Sequence, residues 1–284
     1  MRIRRAQEGD LPALAEVFAA SAAHLTERYR PDTADQLPID PQGRLPIYRH
    51  LLATGALFVA EDPHPVGFSA AVVRDGVWFL SQLWVLPDRQ GAGIGSAVLD
   101  EALAWGRGAS AFTVVASPHP AAQRLYLRAS MYPMWAQLEV TADGTSPPSM
   151  PRGFGPLEEA DQGWVDQLDR EVRGVVRPED HAFWRREAVG LALRREGQPA
   201  GYVYVWPDKA GPGAVQDPAD LPLLVRAARA GSQGAVTFAV PSTNWTALRE
   251  LVREGSAPVA SNLFMSSRPL PDGSRYLSSG GGLG

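Results

Sequence analysis

The sequence predicts an α/β (α+β) protein made of two halves of one plan, each a mixed central β-sheet flanked by helices. Short apolar runs bounded by turn residues alternate with stretches of helical periodicity, as in a layered sheet-and-helix fold. The same order of elements appears on both sides of a proline-rich stretch from Thr141 to Arg152 that has no apolar periodicity. A cluster of glycines stands between a strand and a helix in the first half.

In the first half, Arg2 to Arg5 reads as a short strand and Asp10 as a helix cap, with Leu11, Leu14, Val17 and Phe18 at helical spacing behind it. Three apolar runs follow as strands, 56–61, 66–73 and 77–86. A helix is expected from Ile94 to about Trp105, a strand over 111–117, a helix over 121–129 and a last strand over 135–141. The second half aligns Asp161 with Asp10, Gly201 with Gly67 and Asn244 with His119, at offsets of 151, 134 and 125 residues. The shrinking offsets place one deletion between the first helix and the central strands and another before the late strand. Gly211 and Gly213 read as a turn, and the tail from Ser278 to Gly284 as disordered or a loose final strand. Trp164, Trp184, Trp206 and Trp245 read as packed core.

A chain of 284 residues without cysteine has no disulfides, thiolate nucleophiles or Cys-based metal sites. A net charge of −4, with no basic half, argues against nucleic acid as a partner. Neither an apolar run of about 18 residues nor a charged-then-apolar leader is present, so no membrane partner and a cytoplasmic location are expected. The histidines show no metal-ligand spacing, and no metal is expected.

The stretch that carries chemistry is Gln90-Gly91-Ala92-Gly93-Ile94-Gly95-Ser96. Missing Cβ atoms at 91, 93 and 95 let consecutive backbone N–H groups converge on an anion, and the following helix adds its positive end. A phosphate or pyrophosphate is the natural guest. The dinucleotide pattern needs a glycine where Ser96 stands, and the nucleotide-triphosphate pattern needs a lysine that is absent here.

Gln90-Gly-Ala-Gly93-Ile-Gly95 resembles the pyrophosphate loop of the GNAT (GCN5-related) N-acetyltransferases, Gln/Arg-x-x-Gly-x-Gly/Ala after a strand. A second family pattern, Asn-x-x-Ala-x-x-Leu-Tyr-x-x-x-Gly-Phe, is met by Ala122, Leu125 and Tyr126, while His119, Ser130 and Met131 depart from it. The resemblance spans about residues 2 to 141. It implies tandem GNAT-like domains, a catalytic one over 1–145 and a degenerate, non-catalytic one over 150–284. The tandem form resembles the mycothiol synthase arrangement with the roles of the halves reversed.

The resemblance further implies acetyl-CoA as co-substrate and transfer of its acetyl group to a primary amine by direct attack. The pantetheine arm would lie along Leu83, Trp84 and Val85. Gln90, Gly91, Ala92, Gly93, Ile94, Gly95 and Ser96 would hold the pyrophosphate, and His119 would stand at the family's cofactor-contacting asparagine. Tyr126 matches the general acid. The family's strand glutamate is absent, since Ser81 and Gln82 stand there; His24 and Glu27, three apart on one helix face, are the candidate bases. The segment from Leu25 to His50 is expected to shape the acceptor site, and Asp32, Asp35 and Asp40 within it hint at a cationic amine. The acceptor is a small-molecule or protein amine, and a homodimer is left open. A non-catalytic acyl-CoA sensor is the alternative. In the second half the loop glycines are missing before the matching helix and Leu251 replaces the tyrosine.

Overall fold

The computed structural model describes residues 1–31 and 38–283. The chain divides into two compact units. The first holds Met1–Tyr132 with Ser266–Arg268, and the second Pro133–Met265 with Pro269–Gly284.

In the first unit the order is β1 (Arg2–Arg5), α1 (Leu11–Tyr29), α2 (Leu45–Thr54), β2 (Ala56–Glu61), β3 (Pro65–Arg74), β4 (Val77–Val85), α3 (Ile94–Trp105), β5 (Ala111–Ala116) and α4 (Pro120–Arg128). β1 to β4 form an antiparallel ladder and β5 joins β4 in parallel. The predicted apolar stripe of α1, Leu11, Leu14, Val17 and Phe18, is buried. Ile94 and Val98 of α3 pack with Ala60 and Val66 of the sheet. Asp10 does not cap α1 with its side chain as expected. Its carboxylate accepts from the Gln7 N–H at 2.7 Å and pairs with Arg4, closing the turn before the helix. The segment expected to be a loop up to His50 contains α2. Pro46 suits its first turn, and Tyr48 and Leu51 are buried.

The second unit begins with β6 (Tyr132–Ala142) and runs through β7 (Phe154–Pro156), α5 (Gln162–Arg173), α6 (Pro178–Glu187), β8 (Val189–Arg195), β9 (Gln198–Val205), β10 (Lys209–Val215), α7 (Leu221–Gly231), β11 (Val236–Pro241), α8 (Trp245–Arg253), β12 (Ala257–Ser266) and β13 (Tyr276–Leu277). From β7 to α8 this repeats the order of the first unit from β1 to α4. The repeat extends to detail: Asp161, aligned with Asp10, accepts from the N–H three residues earlier, Glu158, at 2.9 Å. In sequence the long segment of the first unit ends at Tyr132, before the proline-rich stretch. β6, expected to finish the first half's sheet, pairs antiparallel with β11 from Val236↔Ala142 to Pro241↔Gln137, and that ladder fixes its membership. Gly211 and Gly213 are strand residues of β10 at a register shift, not a turn. The tail is ordered through Leu283, because Leu277, Ser278 and Leu283 are buried. Trp184 is core as expected, whereas Trp245 is 73% exposed. No described helix is long and apolar enough to cross a membrane.

A charged cluster is sealed inside the second unit. Asp169 accepts from Arg177 Nε at 3.0 Å and His181 Nε2 at 3.1 Å, and from the Tyr202 hydroxyl. Burial alone would raise the Asp169 carboxyl, but Arg177 and His181 outweigh it and hold the group well below the usual carboxylate range. Removing one partner of such a set leaves the opposing charge buried and uncompensated. Asp169→Ala is expected to lower the unfolding free energy by about 3–5 kcal/mol in urea titration; a loss under about 1 kcal/mol would show that water reaches the cluster.

Candidate active site

The site originates in a mismatch of strand register. β3 pairs with β4 through Ala70↔Gln82 and then Ala71↔Leu80, so Ser81 is an extra residue and β4 bends there. The parallel pairing of β4 with β5 ends at the same level, at Leu80↔Val114, although β4 continues to Val85 and β5 to Ala116. Beyond that point the strands part. The opening is a cleft of about 310 Å³, within the range of small-ligand sites.

Leu83, Trp84 and Val85 of β4 form one wall, and Ser21, His24 and Leu25 of α1 another. The end of β4 is held firmly: the Ser21 hydroxyl donates to the Val85 carbonyl at 3.0 Å and Gln90 Nε2 to the same oxygen at 3.1 Å. Trp84 meets Phe18 edge-on at 5.0 Å and donates from Nε1 to Gln82 Oε1 at 2.7 Å. The mouth is formed by Arg89, Gln90, Gly91, Gly93, Ile94, Gly95 and Ser96. Gly91 and Gly93 both have φ +83°, a left-handed conformation that disfavours a side chain. Among the described residues, no loop backbone bond occupies the N–H groups of Gly91 to Ser96; the first one used is that of Ala97, on Gly93 O at 3.1 Å. These free donors sit at the N-terminus of a 12-residue helix, an arrangement whose chemistry suits an anion.

The remaining wall comes from Ser117, His119 and the α4 residues Ala121, Ala122, Arg124, Leu125 and Arg128. His119 caps α4, its Nδ1 accepting from the Ala121 N–H at 3.2 Å. Burial, with the nearby charges of Arg28 and His24, lowers the His119 pKa. A neutral ring with Nδ1 as acceptor carries its proton on Nε2. Among the described residues, the cleft lining holds three arginines and two histidines and no carboxylate.

Of the residues expected to bind the cofactor, all but Ala92 line the cleft, and of the candidate catalytic residues His24 does. Glu27 is exposed on α1 and outside the lining. Tyr126 is not among the lining residues; it is 5% exposed, and burial pushes its pKa above the ordinary phenol value. Asp32 and Asp35 lie outside the described residues, and Asp40 accepts from the Gln42 N–H in its own turn. Sequence reasoning missed Ser21, Arg89, Ser117, Arg124 and Arg128. Arg124 and Arg128 share a face with Ala121 and Leu125 at helical spacing, the signal that could have found them. Among the described residues no group of three metal-ligating side chains is placed to hold a metal.

Residues 22–131, which contain every lining residue of this cleft except Ser21, match the acetyltransferase (GNAT) family. The first unit carries a GNAT domain. Solved structures similar to the whole chain include a Pyrococcus horikoshii protein proposed to be an acetyltransferase, with TM-score 0.78 and 18% identity over 97% of this chain and 92% of that one. A GCN5-related N-acetyltransferase from Sphaerobacter thermophilus aligns with TM-score 0.66 and 16% identity over 96% and 98%. A tandem GNAT protein from the clavulanic acid biosynthesis pathway aligns with TM-score 0.61 and 18% identity over 94% and 99%. At these identities the likeness is one of fold, here the tandem GNAT fold. The curated proteins give no match.

The depressed His119 pKa makes a directional prediction. The unfolded chain takes up this proton more readily than the folded one, so this contribution to stability is full above pH 6.5 and is lost as pH falls toward the lower folded pKa. In an NMR titration His119 is expected to titrate below 6.5 and to move up in Arg28→Ala. Titration above 6.5 would contradict the burial and charge placement.

Proposed function

We propose that the GNAT domain moves an acetyl group from acetyl-CoA to a primary amine by direct attack in a ternary complex. The observation that carries this reading is the opening between β4 and β5, with the free N–H groups of the glycine loop at its mouth. The pantetheine arm lies along Leu83 to Val85, where β4 has lost its parallel neighbour. The pyrophosphate takes the N–H groups of Gly91 to Ser96 and the positive end of α3. Arg89, Arg124 and Arg128 balance the cofactor's phosphate charge.

The acceptor nitrogen attacks the thioester carbonyl, and a strand N–H steadies the oxyanion. His24 is the base, taking the proton of the attacking amine; it is the one candidate base on the cleft wall. The C–S bond then breaks, and Tyr126 gives its proton to the departing CoA thiolate. Burial keeps the phenol protonated at neutral pH but also makes proton release harder, so Tyr126 acts first as a hydrogen-bond donor to the developing thiolate. With no cysteine in the chain, there is no thiol to carry an acyl-enzyme intermediate.

A non-catalytic acyl-CoA sensor is the second reading. The strand where many relatives place a glutamate favours it: it offers only Ser81 and Gln82, and the Gln82 Oε1 is engaged by Trp84.

Calorimetry tests the site. Acetyl-CoA is expected to bind with micromolar affinity at about one site per chain and to lose binding in Gly93→Glu, whose side chain would project from a left-handed position at the cleft mouth. Absence of binding to the wild type would refute the proposal. In an amine-acetylation assay Tyr126→Phe is expected to reduce kcat about a hundredfold while leaving acetyl-CoA affinity within about twofold. Binding without turnover of any amine, unchanged by that variant, would select the sensor.

A further inference from the structure

The second unit contains the same strand opening, and it is filled. β10 and β11 pair in parallel at Lys209↔Thr237 and Ala210↔Phe238 and then part, as β4 and β5 do. Between them lies the C-terminal segment. β13 pairs antiparallel with β10 at Gly213↔Leu277 and Ala214↔Tyr276, and Ser278 bridges to Ala239 of β11, donating its N–H to the Ala239 carbonyl at 2.8 Å. The Val215 N–H donates to the Arg275 carbonyl at 3.2 Å. Two strand edges that would otherwise be bare are thus joined through one inserted strand.

We infer that this opening is a strand-binding groove whose ligand is the chain's own segment from Gly273 to Leu283, seated where an acyl-CoA would lie. Asn244, the counterpart of His119, shows the substitution of role. Its Oδ1 accepts from the Ala247 N–H at 3.1 Å, as His119 caps α4, while its Nδ2 donates to the Tyr276 carbonyl at 2.9 Å. Tyr276 is the anchor, 4% exposed. Its hydroxyl accepts from Arg173 at 2.6 Å and Arg177 at 3.1 Å, and Arg177 also donates to the Leu283 carbonyl at 3.3 Å. The Asp169 cluster therefore holds the arginine that clamps the segment at two points. A Cβ at Gly211 would lie 2.2 Å from the Ser278 carbonyl oxygen, so glycine there permits the close approach. The entrance of α7 is also unsuited to phosphate: Asp217 accepts from the Ala219 N–H at 2.9 Å and Asp220 stands at the helix start.

The comparison with an acyl-CoA site rests on the function proposed above, whereas occupancy of the groove does not, and the test needs no CoA. In the full chain, amide exchange followed by NMR is expected to show Val215 and Ser278 protected at least about a hundredfold over an unstructured peptide. Tyr276→Ala is expected to reduce protection across 273–283 at least tenfold while β8 and β9 change less than about twofold. A second full-length form carries a protease site between the exposed residues Arg268 and Pro269. After cleavage of the folded protein, the C-terminal fragment is expected to co-elute with the rest, and to dissociate when Tyr276→Ala is present. Exchange of 273–283 at unstructured rates, or loss of the wild-type fragment with an unchanged Tm, would overturn the inference.

Discussion

Everything at the candidate site depends on where parallel pairing between β4 and β5 stops. A continued ladder would satisfy both strands and leave a closed sheet with no room for a ligand. The extra residue at Ser81 turns β4 away just where its register with β5 ends, and the two strands diverge over their last residues. The remaining features act on that opening. Ser21 and Gln90 fix the Val85 carbonyl, the left-handed glycines expose loop N–H groups, and α3 directs its positive end at the mouth.

Two openings of one design meet opposite fates in this chain. In the first unit the opening is lined by arginines and histidines and bounded by a loop with unused donors. In the second the same divergence of parallel strands is closed by β13, and the helix entrance carries aspartates. The difference follows from hydrogen-bond satisfaction: a strand edge left by a divergence needs a partner, and either a ligand with amide groups or a length of polypeptide supplies one. The duplicated plan thus yields one open cleft and one intramolecular complex, and the deeply buried Asp169–Arg177 pair belongs to the machinery of the latter.

The cleft's charge separates roles that the sequence had left together. His24 and Glu27 share a helix face, yet the lining takes in His24 and leaves Glu27 on the exposed side. His24 in turn helps to lower the pKa of His119, as does Arg28, and burial does so most. Burial and these neighbouring cations disfavour a proton on His119, which keeps the cap of α4 in its accepting form.

The sequence by itself determined the local elements and the loop. Periodicity marked α1, α3 and the central strands, and the glycine spacing from Gly91 to Gly95 marked the left-handed loop before α3, because these depend on backbone conformation and on neighbours within a few residues. The repeated order of elements and the alignment of Asp161 with Asp10 were legible for the same reason, but the role the two aspartates share, accepting from the N–H three residues earlier rather than capping the helix, was not. Tertiary structure alone decided which strand β6 pairs with, because a strand's partner is chosen by long-range pairing that its own alternation does not encode. It also decided that Gly211 and Gly213 sit in a strand rather than a turn, and that Tyr276 and Leu277, just before the glycine-rich tail, form an inserted strand. Arg124 and Arg128 became site residues only when α4 was placed against the cleft, since their sequence gives them a shared face but not what that face meets.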